Sequence, residues 1–252
     1  MQLTDRRTEE RITRVIESIQ QNIGESITID DMARIAMFSK FHFSRVFQRA
    51  TGISPGRFLS AVRLQEAKRL LLTTSLSVTD IGQQVGYTSG GTFSTRFKKC
   101  VGLSPSDYRR LGGTAPHIAD APPRPRHRAS MHGQVRVSGE ITGELGTVFV
   151  GLFPEPIPQG APVRCTVLSR PGPYRLDNVP LGQWYLLAQS VRPGREECVD
   201  ERPAVAVHGP VAIDAVQGSR AMDVRLRPMQ ILDPPVLMAL SDARRSALRR
   251  AS

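Results

Sequence analysis

Phe43-Ser44-Arg45-Val46-Phe47, followed by Gly52-Ile53-Ser54-Pro55, returns further along the chain as Phe93-Ser94-Thr95-Arg96-Phe97, followed by Gly102-Leu103-Ser104-Pro105. The offset is about 50 residues, and Phe58 answers to Tyr108 in the same frame. A repeat of that length is one supersecondary unit used twice. In the first copy Phe43, Val46, Phe47 and Ala50 fall at i, i+3, i+4 and i+7, the spacing of the inward face of a helix. The opposite face then carries Lys40, Phe41, Ser44, Arg45 and Gln48.

Upstream, Ile27-Thr28-Ile29-Asp30-Asp31-Met32 answers to Leu76-Ser77-Val78-Thr79-Asp80-Ile81. Thr28 and Ser77 are helix caps, and Asp31 and Asp80 can reach back to the cap amides. Ile27 with Met32, and Leu76 with Ile81, have the spacing of hydrophobic staples. These signals predict short helices over 29–36 and 78–84. Breaks follow at Met37-Phe38-Ser39 and Gly86-Tyr87-Thr88, then second helices over 39–50 and 89–100. Short helix, tight turn and second helix make a helix-turn-helix unit. Two more helices are expected: an amphipathic one over 8–23, carrying Ile12, Val15, Ile16, Ile19 and Ile23, and a longer one over 56–72 after Pro55. The longer helix connects the repeats and sets their relative orientation.

Residues 8–110 resemble the double helix-turn-helix domain of AraC/XylS transcriptional regulators. The resemblance rests on Ser39 to Phe47, Gly52-Ile53-Ser54-Pro55, Arg63-Leu64-Gln65-Glu66-Ala67, and Gly86-Tyr87 through Phe93, Phe97-Lys98, Gly102-Leu103-Ser104-Pro105 and Tyr108-Arg109. It implies a sequence-specific transcription regulator with double-stranded DNA as partner, no catalytic residues and no cofactor. Two recognition helices in one chain suit adjacent major-groove segments, about 34 Å apart. The expected contacts in the first unit are Ser39, Lys40, Phe41, Ser44, Arg45, Gln48 and Arg49. Arg45 is the strongest base reader, because a guanidinium bonds guanine O6 and N7 together. Phe41 suits a thymine methyl, Ser44 several bases, and Lys40 and Arg49 phosphate. The second unit offers Ser89, Gly90, Gly91, Thr92, Ser94, Thr95, Arg96, Lys98 and Lys99. Its threonines and serine reach only a short way, while Arg96, Lys98 and Lys99 are read as phosphate contacts. Unit one is therefore expected to read sequence and unit two mainly to position the protein. Gly90 and Gly91 cost roughly 1 kcal/mol each against Ala inside a helix. Close backbone approach to DNA is the expected gain.

Charge points to the same segment of the chain. The 252 residues carry a formal net charge of +11. Residues 1–110 hold +7 of it, 111–130 hold +2, 131–240 come to −1 and 241–252 to +3. The anionic partner is met by the first segment. Residues 111–130 contain four prolines and lack apolar periodicity, and are read as a linker. Its stretch Pro122-Pro123-Arg124-Pro125-Arg126-His127-Arg128 is a solvated tether that could also touch DNA backbone. Three cysteines, Cys100, Cys165 and Cys198, are too few and scattered for a disulfide framework or metal cluster. His117, His127 and His132 have no ligand spacing. No apolar run approaches the ~20 residues of a spanning helix, and Met1–Glu10 does not read as a signal peptide. The expected setting is cytoplasmic, without a membrane partner.

From Met131 short alternating segments lie between Gly/Pro turns. Strands are expected over 133–139, 146–153, 163–169, 173–179, 183–190, 203–208 and 220–227, and an all-β antiparallel sandwich over 131–230. Gly172 to Leu186, with Asn178-Val179-Pro180-Leu181-Gly182, resembles a hairpin of the carboxypeptidase-regulatory, or transthyretin-like, sandwich, and Asp223 to Pro228 its closing strand. Of Trp184 and Tyr185, neighbours on one strand, Trp184 is taken as core. Some transthyretin-like proteins hydrolyse purine-derived rings with His and Arg; His132, His208 and Arg220 are present, but the supporting motif is not. The β-domain is expected to dimerise through an edge strand, sense a small effector, or recruit a partner such as RNA polymerase without any ligand. Residues 231–252 form a tail, with a short helix expected over 236–250.

Overall fold

The computed structural model describes residues 2–113, 129–190, 203–214 and 218–239. The linker stretch 122–128, His117, Cys198 and most of the expected tail helix lie outside these residues. Residues 236–239, which are described, are not helical. The chain divides into two units, Met1–Arg110 with Gln230–Leu237, and Leu111–Met229 with Met238–Ser252.

The first unit contains α1 (Gln2–Gln21), α2 (Ile29–Ile35), α3 (Lys40–Thr51), α4 (Pro55–Thr73), α5 (Val78–Gln84), α6 (Gly90–Val101) and α7 (Pro105–Arg110). The caps form as their chemistry requires. Thr28 Oγ1 accepts from the Asp31 amide at 3.2 Å, and Asp31 Oδ2 accepts from the Thr28 amide at 3.0 Å, a complete capping box. Ser77 Oγ likewise accepts from the Asp80 amide at 3.1 Å and donates to Asp80 Oδ2 at 2.7 Å, as Thr28 Oγ1 does to Asp31 Oδ2 at 2.6 Å. Each such cap is worth about 1 kcal/mol. Pro55 starts α4, where its missing N–H costs no hydrogen bond. From α1, Ile12, Val15, Ile16 and Ile19 are buried. α4 buries Phe58, Leu59, Ala61, Val62, Leu64, Ala67, Leu70 and Leu71, which lie all round the helix. It touches α1 and α3 as well as α5 and α7, so it belongs to both repeats.

The second unit contains β1 (Ala129–Val137), β2 (Val148–Phe153), β3 (Arg164–Leu168), β4 (Pro173–Val179), β5 (Gly182–Ser190), β6 (Ala204–Ile213), β7 (Ser219–Ala221) and β8 (Val224–Pro228). The order is β3-β2-β5-β6-β8-β1-β4, with β7 beside β1. This corrects the antiparallel sandwich: β1 pairs in parallel with both β7 and β8, so the sheet is mixed. It also curls towards closure. Arg164 on β3 donates from Nε to the Asn178 carbonyl of β4 at 3.0 Å, joining the two ends of the strand path. The expected hairpin over 172–186 does not form either. β4 pairs with β1, whereas β5 pairs with β2 and β6. Asn178 at φ 56° and the Pro180-Leu181 corner carry the chain between them. Trp184 packs partly buried against the core and donates from Nε1 to the Pro180 carbonyl at 2.8 Å.

The single strand expected over 220–227 is two, β7 and β8, because the chain crowds β1 between them. A Cβ on Gly133 would overlap the Met222 carbonyl, and Asp223 Oδ1 accepts from the Gln134 amide at 2.9 Å. The core of this unit gathers Met131, Val135, Val148, Val150, Leu152, Leu176, Val179, Leu186, Val224 and Leu226.

Candidate nucleic-acid interface

Each helix-turn-helix unit is held by an aromatic ladder. In the first, Phe43 lies 5.5 Å from Phe47, and Phe47 meets Phe58 of α4 edge-on at 5.4 Å. In the second, Phe93 lies 5.7 Å from Phe97, and Phe97 meets Tyr108 of α7 edge-on at 5.5 Å. Phe43, Phe47, Phe93 and Phe97 are all fully buried. Val46 and Ala50, expected on the inward face, are only half-buried. α7 was missed by the apolar pattern because one turn is too short to show a period; its Tyr108 is buried, which raises the phenol pKa.

The turns differ in chemistry. Met37 and Gly86 occupy the same place, and both have positive φ, 53° and 85°. Phe38, next to Met37, lies under the Arg11 guanidinium of α1, 5.0 Å from its carbon. Tyr87, next to Gly86, has its hydroxyl 3.4 Å from Ser60 Oγ of α4, and burial raises its pKa. Arg63 of α4 fills the space a Gly86 side chain would need. It donates from Nε to the Ile23 carbonyl at 3.1 Å and from its terminal nitrogen to the Glu25 carbonyl, and burial lowers its pKa. Arg109 performs a similar task, donating to the carbonyls of Leu71 at 3.0 Å and Leu76 at 2.7 Å. Arg63 and Arg109 fall in the motif stretches, but nothing in those stretches distinguishes a backbone clamp from a DNA contact.

The expected DNA-facing residues lie as follows. On α3, Phe41 is 85% exposed, and Lys40, Arg45, Gln48 and Arg49 are exposed on the same surface. Ser39 caps the helix, accepting from the His42 amide, and half-buried Ser44 donates to the Lys40 carbonyl at 3.0 Å. Lys40 Nζ is 2.9 Å from Asp30 Oδ2, an exposed pair that leaves it available. The side chains of Arg45, Gln48 and Arg49 make no hydrogen bond or ion pair among the described residues.

On α6, Gly91, Thr92, Thr95, Lys98 and Lys99 are exposed, and Gly90 and Ser94 are half-buried. Ser89 Oγ accepts from the Thr92 amide at 3.2 Å and donates to Thr92 Oγ1 at 3.1 Å. Arg96, read as a phosphate contact, is half-buried, and its Nε donates to Ser60 Oγ of α4 at 3.3 Å. The repeat itself held that signal: Arg96 stands where unit one has Val46. Gly90 and Gly91 have no internal reason to be glycine. Added Cβ atoms would come no closer than 3.6 Å to Thr79 and 3.9 Å to Ser89.

In the second unit, His132 on β1 and Arg220 on β7 lie on paired strands, and His208 sits on β6. His132 Nδ1 lies 3.1 Å from Ser219 Oγ. Among the described residues no three His, Cys, Asp or Glu stand together in a metal-holding group. No described helix is long and apolar enough to cross a membrane.

A helix-turn-helix domain model matches residues 32–111. An uncharacterised HTH-type transcriptional regulator of Haemophilus influenzae is 40% identical over 102 residues, 40% of this chain and 34% of that protein. The transcriptional activator AarP of Providencia stuartii is 35% identical over 98 residues, 39% of this chain and 73% of that protein. The lactose operon transcription activator of Staphylococcus xylosus is 34% identical over 100 residues, 40% of this chain and 36% of that protein. The chain thus spans about a third of two of these relatives and most of the third.

Proposed function

Since the chain belongs to the AraC/XylS family of transcriptional regulators, we propose that it is a sequence-specific DNA-binding transcription regulator, docking α3 and α6 in adjacent major-groove segments. The observation that carries this reading is the outer face of α3. Phe41, Arg45, Gln48 and Arg49 stand exposed on it, while Phe43 and Phe47 anchor the same helix in the core. An aromatic that exposed contributes little to folding, and a free guanidinium is the best single group for reading guanine. Ser39, Lys40 and Ser44 complete the first contact surface. On α6, Ser89 to Thr92 with Ser94 and Thr95 offer short contacts, and Lys98 and Lys99 offer phosphate contacts.

The mechanism needs no catalysis and no cofactor. α4, packed against both repeats, holds the two recognition helices in register, and the activity is cytoplasmic. The β-unit serves dimerisation or effector sensing, with RNA polymerase as a further partner. Selection from a random pool of duplexes about two helical turns long tests the proposal. The full chain is expected to recover a defined sequence, and Arg45→Ala to lose about 1–3 kcal/mol at one base pair of it. Recovery of no preferred sequence contradicts the reading.

A further inference from the structure

After β8 and one intervening residue, Met229, the chain enters the segment Gln230–Leu237, which belongs by its contacts to the helical unit. This strap is preformed. The Gln230 amide donates to Asp233 Oδ2 at 2.7 Å, and the Asp233 amide donates to the Gln230 carbonyl at 3.1 Å. Pro234-Pro235 follow, which restricts the freedom lost on docking. Pro234 is buried and Leu237 is 0% exposed. On the other side of the contact stands Lys68 of α4, only 9% exposed. Its Nζ donates to the Val236 carbonyl at 3.0 Å and lies 3.4 Å from Gln65 Oε1. A lysine is rarely so buried unless its ammonium is matched, and here the strap supplies a carbonyl for it.

We propose that α4 carries a docking seat for this strap, and that an occupied seat favours the DNA-binding arrangement of the two helix-turn-helix units. The inference rests on the DNA-binding reading above. α4 is the direct connection between α3 and α5, so its order governs how the two recognition helices are presented together. With the strap away, Leu237 enters water and Lys68 loses the Val236 carbonyl. A protein that must order α4 on binding DNA then binds more weakly. The coupling is reciprocal: a docked strap strengthens DNA binding, and DNA strengthens docking. Because the strap continues β8, whose neighbours are β6 and β1, it gives the β-unit a covalent handle on α4.

The test uses the full-length protein carrying Leu237→Cys, alkylated with iodoacetamide and read at position 237 by peptide mass spectrometry. The introduced thiol is expected to react far more slowly than in urea-unfolded protein. Adding Lys68→Ala speeds labelling, and adding the selected duplex slows it, each by about fivefold or more. Lys68→Ala also weakens binding to that duplex by about the same factor. Pro235→Gly, which loosens the strap without touching a helix, shifts labelling and binding in the same directions. Labelling at the unfolded rate in the parent overturns the seat. Labelling and affinity that ignore both DNA and the two substitutions reduce the strap to a static staple and overturn the coupling. A full chain that selects no duplex at all overturns the DNA reading and the coupling with it, while protection of position 237 still reports the seat.

Discussion

Phe47 against Phe58 and Phe97 against Tyr108 repeat within 0.1 Å, yet the outer faces of the two recognition helices diverge beyond the shared Ser44 and Ser94. Arg45, whose side chain makes no described hydrogen bond or ion pair, stands where the second unit has Thr95. Half-buried Val46 stands where the second unit has Arg96, bonded to Ser60. The cap Ser39 leaves its neighbour's side chain alone, whereas Ser89 engages Thr92 Oγ1. The lesson is a separation of tasks. The aromatic ladder and the caps stabilise each unit, so the outer face is free to differ. One unit presents Arg45 outward, and the other has Thr95 in that place and turns Arg96 inward onto Ser60.

The largest expected effects test the shared part. Phe47→Ala and Phe97→Ala should each cost about 3–5 kcal/mol in urea unfolding, because each removes a fully buried ring from a ladder. A gap of several kcal/mol between them breaks the equivalence of the two cores. Next come the outer faces. Arg45→Ala should lose about 1–3 kcal/mol of discrimination at one base pair, and Thr95→Ala clearly less, read by fluorescence anisotropy across point-substituted duplexes. Lys98→Ala should instead weaken all sequences alike and reduce the salt slope by about one.

The turns sharpen the comparison at smaller amplitude. Gly86→Ala should destabilise by more than about 1 kcal/mol, since φ is +85° and the new methyl meets the Arg63 guanidinium at 2.5 Å. Met37→Gly, at the same place in the other unit, should stabilise or be neutral, because it relieves a positive φ on an exposed side chain. Thermal unfolding of the pair checks both signs, and equal destabilisation would mean the turns are not equivalent. Gly91→Ala should raise stability by up to about 1 kcal/mol, with no atom closer than 3.9 Å to resist it. Its DNA affinity should fall if the backbone of α6 approaches the duplex closely; unchanged affinity removes that explanation for the glycine.

The smallest effect is at the first cap. Hydrogen bonds from the Thr28 hydroxyl and amide, with Arg34 beside it, hold the Asp31 carboxyl below its usual range. The folded pKa is depressed, so its stabilisation is present above about pH 4 and is lost as pH falls through the folded value. Asp31→Asn should flatten that acid limb in a pH series of melting temperatures.

Much of the helical unit was legible because its signals are local. Thr28 with Asp31, Ser77, and Phe43 with Phe47 declare a cap or a face within a few residues. α7 is one turn long and so gives no period. In the β-unit the decisive facts are not local. The Gln134 amide finds Asp223 at a separation of 89 residues, and no alternation within either strand says that β1 and β8 run parallel. The 172–186 segment has the look of a hairpin, but β4 and β5 choose other partners, because each side chain pattern is satisfied by any strand with a matching apolar face. For the candidate interface, the outer face of α3 followed from the stripe opposite it. The inward turn of Arg96 was available in its alignment with Val46. The strap on Lys68 was not, since nothing near residue 68 announces a partner at residue 236.

In the proposed division of labour α3 reads the DNA while α6 places it. Scrambling each half of the selected duplex in turn, and measuring affinity for the parent protein and for Arg45→Ala, tests this directly. The half bound by α3 is the one whose scrambling matters less once Arg45 is gone. Scrambling this half is expected to cost the parent about tenfold more affinity than scrambling the other. Equal losses from the two halves would contradict it.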